Sequence, residues 1–209
     1  MNFIKNRPVS TSPAQDAGII PIEREGNGIR IRKYRRDDAI HLAEAVRESF
    51  ATVGHWQEWC HPRYDEKSSK AWIEHGIAAW AAGQSYEFAI VDAASGRYLG
   101  GIGVNQRNFE HNFANVGYWV RESCQARGVA TQAVRLAIGF AFETLELTRV
   151  EIIAAADNLP SRRVAEKAGA KLEGMARNRL VLNGTPLIAA VYATIPSDYS
   201  AEQIRATSS

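Results

Sequence analysis

The chain has 209 residues, 45% of them hydrophobic and 23% charged, which is the composition of an ordinary globular protein of one domain, two at most. Its 25 basic against 23 acidic side chains leave a formal +2, too little for bulk charge to select nucleic acid or an anionic lipid surface as partner. Cys60 and Cys124 form no CxxC pattern and no run approaches the ~18 apolar residues of a membrane span, so a cytoplasmic protein with reduced thiols is expected.

Residues 1–18, with two prolines and small polar residues, lack periodicity and read as a flexible arm; residues 19–198 read as one domain and 199–209 as a tail. GIIPIEREGNGIRIRKY offers two short apolar stretches around GNG, a hairpin signal in which Ile29 and Ile31 alternate with arginines. The run RIRKYRR fits the outer face of such a strand better than a nucleic-acid patch. With Asp37 or Asp38 as cap, Ile40, Ala43, Val46 and Phe50 recur at helical spacing. An aromatic loop, HWQEWCHPRY, leads to a second helix starting near Ser68, with Trp72, Ile73, Ile77 and Trp80 on one face and Gly83 at its end. One Cys beside one His, with a second His six residues away, is poor zinc spacing, and no metal is expected.

Beyond Gly83 the period changes from helix to strand. YEFAIVD, YLGGIGVN and ANVGYWV read as an antiparallel meander. QARGVA then opens an apolar helix running to about Leu145, followed by the strand RVEIIAAA, a short helix in DNLPSRRVAEKAG, and two strands, KLEGMARNRLVL and PLIAAVYATI, separated by NGTP. The order is mixed α+β with a strand, helix, strand unit in its second half.

QARGVAT places Gly128 and Ala130 where a helix begins, with Thr131 able to add a hydroxyl. A helix start exposes unpaired N–H groups and partial positive charge, and small residues let an anion approach; the alternative is a tight strand-to-helix turn. Neither GxxxxGK[ST] nor GxGxxG occurs in the chain, which leaves a different phosphate ligand.

With GYWV at 117–120, NLPS at 158–161, AEKAG and LEG at 172–174 in order around it, this motif resembles that of the GNAT N-acetyltransferase superfamily, in the subgroup of the RimJ/RimL-like ribosomal-protein acetyltransferases. The resemblance covers roughly residues 28–195. It implies an α+β fold with a mixed, mostly antiparallel central sheet flanked by helices and a pyrophosphate-binding loop at a helix N-terminus. It also implies acetyl coenzyme A as cofactor, held by Gln125, Ala126, Arg127, Gly128, Val129, Ala130 and Thr131, and a homodimer as the family's expectation. The strand carrying GYWV would splay from its neighbour, so that Trp119 and Val120 offer free main-chain groups, with the Val120 amide as the candidate oxyanion donor; a plain ladder bond is the other reading. Asn158 matches a position touching the cofactor arm and Ser161 a serine that protonates the leaving thiolate, although both suit helix capping equally. Many relatives carry an acidic tyrosine four residues beyond this serine, where Ala165 stands here.

The resemblance supplies no base, since Leu180 stands where some relatives have a glutamate. Glu87 is the candidate carried forward, with His111 and Glu173 behind it. An α-amine of pKa near 8 loses its proton at pH 7 for about 1.4 kcal/mol, lysine for about 4 to 5, which favours an α-amine acceptor. Trp56 and Trp59 could wall the acceptor pocket or pin their loop to the core; Asn105 and Tyr118 complete the candidate acceptor side. The expected function is transfer of acetyl from acetyl coenzyme A to a protein N-terminal amine. A small amine (amino acid analogue, polyamine or antibiotic) and a non-catalytic cofactor-binding module are the rivals.

Overall fold

The computed structural model describes residues 23–199, so the arm at 1–18, the first stretch of the expected hairpin at 18–22 and nearly all of the tail lie outside the described residues. Strands β1 (Arg24–Gly26) and β2 (Ile29–Lys33) form the hairpin around Asn27 and Gly28, whose φ values of 50° and 73° fit the primed turn that joins twisted strands. Helix α1 (Asp38–Glu48) follows. Arg32 grips the Asp38 carboxylate with two bonds of 2.7 Å, and the same carboxylate accepts the Arg35 amide at 2.8 Å, which fixes the helix start to the sheet. Its buried stripe is Ala39, Leu42, Ala43, Ala45 and Val46. Ile40 and Phe50, counted on that stripe from spacing alone, are 47% and 44% exposed. The run of small residues let either of two overlapping stripes serve, and Leu42 decides which.

Helix α2 (Glu66–Ala81) starts two residues before Ser68 because Asp65 is the cap, its side chain accepting the Ser68 amide at 2.8 Å. Strands β3 (Tyr86–Asp92), β4 (Tyr98–Asn108) and β5 (Phe113–Val120) form the meander; helix α3 (Val129–Glu143) crosses over to β6 (Arg149–Ala155), which lies parallel to β5. Helix α4 (Leu159–Lys167) and strands β7 (Lys171–Leu182) and β8 (Thr185–Thr194) complete one eight-stranded sheet ordered β1-β2-β3-β4-β5-β6-β8-β7.

Each side of the sheet has its own apolar core. Phe88, Ile90, Ile102, Val104 and Val116 pack against Val134, Ala137 and Phe140 of α3. Ala89, Val91 and Tyr98 pack against Leu42 and Val46 of α1 and Ile73 of α2. Side chains along a strand alternate between faces, so β5 sends Val116, Tyr118 and Val120 towards α3 and Asn115, Gly117 and Trp119 towards α1 and α2. The tip of the β7–β8 hairpin returns to the first half of the chain, where the Asn183 amide donates to the Glu58 carboxylate across 125 residues of sequence.

Candidate active site

β5 and β6 pair only over Phe113–Asn115 with Arg149–Glu151, although β5 continues to Val120. Beyond Asn115 the two parallel strands separate. On the other edge of β5, the Arg121 amide donates to the Leu99 carbonyl at 2.8 Å. Antiparallel ladders alternate every second residue, so the main-chain groups of Tyr118 and Val120 face away from β4 and into the gap. The Val120 carbonyl takes the Gln125 side-chain amide at 2.9 Å, and its N–H is left towards the opening.

The loop after β5 is fastened from outside. Glu48, at the end of α1, pairs with the Arg121 guanidinium and accepts the Ser123 amide at 2.8 Å. Ser49 takes the Glu122 amide at 3.0 Å, and Gln125 reaches the Thr52 hydroxyl at 3.1 Å. Chiefly through its bond to Arg121, the Glu48 carboxyl is held down at about 2. Ala126 and Gly128, at φ 58° and 81°, then turn the chain into α3. None of the amides of Ala126 through Thr131 has a hydrogen-bond partner among the described residues. A Cβ placed on Gly128 meets nothing within 4 Å, so the surface above these amides is open. Unpartnered N–H groups at a helix start, beside a strand with a free edge, fit a cofactor that carries a pyrophosphate and an amide-bearing arm. Gln125 itself acts as a brace in this arrangement.

On the α3 side of the gap, Asn158 caps α4 through the Ser161 amide at 3.1 Å. The Tyr118 hydroxyl lies 2.9 Å from the Ser161 carbonyl and 3.0 Å from the Ser161 hydroxyl. Burial pushes the Tyr118 phenol up to about 12, so it stays protonated. Tyr118 was expected on the acceptor side; strand alternation turns it to the opposite face from Trp119. It thereby brings a phenol to the serine, whereas Ala165 is fully buried in the α3-side core. The two-residue period of GYWV is the signal that separates Tyr118 from Trp119.

On the α1 and α2 side, Glu87 bends its carboxylate over Gly103, where any added Cβ would collide with both oxygens. Asn105 donates to Glu87 Oε1 at 3.2 Å and accepts from Asn115 at 3.2 Å. Burial raises the Glu87 pKa, and the Asn105 bond and nearby His75 only partly oppose it. Asn115 is the member that chain-order reading missed. It stands opposite Asn105 in the β4–β5 ladder, a pairing set by register rather than by any local motif.

The other candidates fall into place around this. Trp59 packs edge-on against Trp119 with ring centroids 5.5 Å apart, and Trp119 approaches Tyr98 at 6.1 Å. Trp56 contacts His55 at 4.5 Å instead, and among the described residues no ring contact joins it to that cluster. Glu173 pairs with Arg149 at 2.5 Å, which lowers its pKa and occupies it as an ion-pair partner. The His111 amide binds Asn108 in an exposed turn.

Residues 29–171 match the family model described as Acetyltransferase (GNAT) domain, and the chain belongs to that family. It is an acetyl coenzyme A-dependent N-acetyltransferase. It is 30% identical over 178 residues, 84% of this chain and 95% of the other, to "Putative ribosomal N-acetyltransferase YdaF" of Bacillus subtilis. A solved structure described as a putative ribosomal-protein-serine acetyltransferase from Vibrio cholerae is 28% identical, with TM-score 0.74 over 84% of this chain and 98% of that one. The fold also superposes on RimL, a ribosomal L7/L12 alpha-N-protein acetyltransferase solved with coenzyme A, at TM-score 0.76 and 21% identity over 87% of this chain and 100% of that one.

Proposed function

We propose that the chain acetylates the N-terminal α-amine of a protein, by direct attack of the amine within a ternary complex. Acetyl coenzyme A, when bound, supplies an already activated acetyl thioester, so no covalent enzyme intermediate is needed. What remains for the protein is to position, to stabilise charge and to move two protons. The loop amides of Ala126 through Thr131 bind phosphate. The Val120 N–H donates to the charge that develops on the acetyl oxygen. Ser161 holds a proton at Oγ for the leaving sulfur, and Tyr118 stands behind it as the donor that refills the hydroxyl.

The observation that carries the acceptor reading is the Glu87 carboxylate, held over a glycine on the α1 and α2 side with a raised pKa. It is one base with a polar chain behind it, and the carboxylates Glu48, Glu74 and Glu173 are each tied to an arginine. A single moderate base matches an α-amine of pKa near 8, which needs only about 1.4 kcal/mol of help at pH 7. A polyamine would call for several free carboxylates. The similarity to YdaF and to the Vibrio cholerae protein, each described as a putative ribosomal acetyltransferase, supports a protein acceptor.

The test is thiol release from acetyl coenzyme A with peptides beginning in Ser, Ala or Met, polyamines, free amino acids and aminoglycosides. Turnover confined to peptides is the expected result. Turnover confined to a small amine would replace the acceptor, and cofactor binding without turnover on any of them would favour a binding module.

A further inference from the structure

Glu87, Gly103 and Gly117 stand in one row across β3, β4 and β5, because Glu87 pairs with Gly103 and Gly103 with Gly117. Asn105 and Asn115 form the next row on one side, and Gly101 and Trp119 the row on the other. A glycine in a strand interior costs roughly 0.5–1 kcal/mol relative to alanine, so facing glycines in the middle of a sheet need a reason. Gly103 has one, since the Glu87 carboxylate occupies the space a side chain would take. Among the described residues Gly117 has none. Its φ lies outside the left-handed region, and a Cβ there would touch only Asn115 at 3.7 Å and Asn105 at 3.8 Å, both ordinary van der Waals contacts. The fold would accept alanine at 117.

The neighbouring row holds an unsatisfied polar atom. Asn115 gives its side-chain N–H to Asn105, while its Oδ1 is buried with no hydrogen-bond partner among the described residues. A buried acceptor left unpaired costs about 1–3 kcal/mol unless something completes it. Glu87 Oε2 likewise has no partner among the described residues. A partly open surface without a side chain, bordered by the side-chain amides of Asn105 and Asn115 and near a carboxylate oxygen with no hydrogen-bond partner among the described residues, describes a slot for a small amine.

We infer that Gly117 is the size-determining floor of the acceptor slot, admitting an amine whose adjacent carbon carries a small substituent, as in a chain beginning with Gly, Ala or Ser. The inference rests on the N-terminal acceptor reading for its choice of peptides, but the floor itself is independent of it. Trp119 bounds one side of the slot and the Asn105–Asn115 pair the other, so the amine enters between them towards Glu87. A methyl group on residue 117 fills the slot from below while leaving the cofactor loop untouched.

The experiment compares Gly117→Ala with the unsubstituted protein. Circular dichroism and thermal melting check that the variant folds, and calorimetry measures acetyl coenzyme A affinity, expected unchanged. Steady-state kinetics with peptides beginning Gly, Ala and Ser should show KM for the acceptor raised about 10-fold or more, with the penalty growing from Gly to Ser. An acceptor KM unaltered for all three would overturn the proposal, as would an equal penalty for every first residue. If only a small amine is turned over, the N-terminal reading fails while the same KM comparison on that amine still decides the floor. If nothing is turned over, quenching of tryptophan emission by the peptides in the coenzyme A complex takes its place, and equal quenching in both proteins, or none in either, sinks the idea.

Discussion

The two faces of β5 are furnished by different means. Towards α3 stand unpartnered main-chain amides in one unbroken stretch, Ala126 through Thr131, with Ser161 and Tyr118 beside them. Towards α1 and α2 stand side chains gathered from three strands, with Glu87, Asn105 and Asn115 brought together by ladder register. A phosphate is the same on every molecule of cofactor, and backbone donors suit it because they do not vary with the residue. An acceptor that must be distinguished from its relatives needs side chains, each of which can be exchanged without disturbing the backbone.

The contrast can be broken most severely on the amide side. Gly128→Asp places a carboxylate at the head of the loop in a conformation aspartate tolerates, so the protein should fold and yet lose acetyl coenzyme A affinity by about 100-fold or more, roughly 3 kcal/mol. Calorimetry reads this directly, and unaltered affinity would end the phosphate-loop assignment. On the acceptor face, Glu87→Gln should lower kcat/KM by about 10² to 10³ with cofactor affinity kept. Because the folded-state pKa of Glu87 is raised, ionising it costs stability as pH rises through that value. The glutamine variant should therefore melt no lower than the parent at pH 7, and the acidic limb of its pH–rate profile should vanish. A retained limb would assign the base elsewhere.

The α3 face also carries the Tyr118–Ser161 pair. Tyr118→Phe and Ser161→Ala should each reduce kcat by roughly 10-fold, and together by little more than either alone, since groups acting as a unit are not additive. Fully multiplicative losses would separate them. The smallest effect belongs to the clamp. Glu48→Gln should weaken acetyl coenzyme A binding a few-fold and cost about 1 kcal/mol of stability, a partly exposed pair being screened by solvent. The Glu48 pKa is depressed, so its contribution is present above the usual carboxylate range and fades as pH falls from about 5 towards about 2. A variant whose melting temperature tracks the parent's from pH 7 down to 3 would remove the clamp from the account.

The same contrast explains what was readable before the fold was known. QARGVAT, NLPS and GYWV are contiguous, so the loop before α3 and the serine near Tyr118 could be singled out from the order of residues alone. The antiparallel meander and the strand, helix, strand unit followed from the change of period, while the place of β8 between β6 and β7 did not. Asn115 was not legible, because only the β4–β5 register places it opposite Asn105. Tyr118 was expected on the acceptor side and its side chain lies towards α3, since GYWV gives the alternation and not its phase. Glu87 was visible as a glutamate in a strand, but its burial depends on α2, where a Cβ placed on Gly76 would lie 3.8 Å from the Glu87 Cβ.

The contact between Glu58 and the hairpin tip at Asn183 joins parts of the chain made far apart in time. Strand β8 is synthesised after β7 yet lies between it and β6. Strand β7 therefore joins the sheet only through β8, and neither its place at the edge nor the hairpin tip that meets Glu58 exists until the residues after Leu182 have been made.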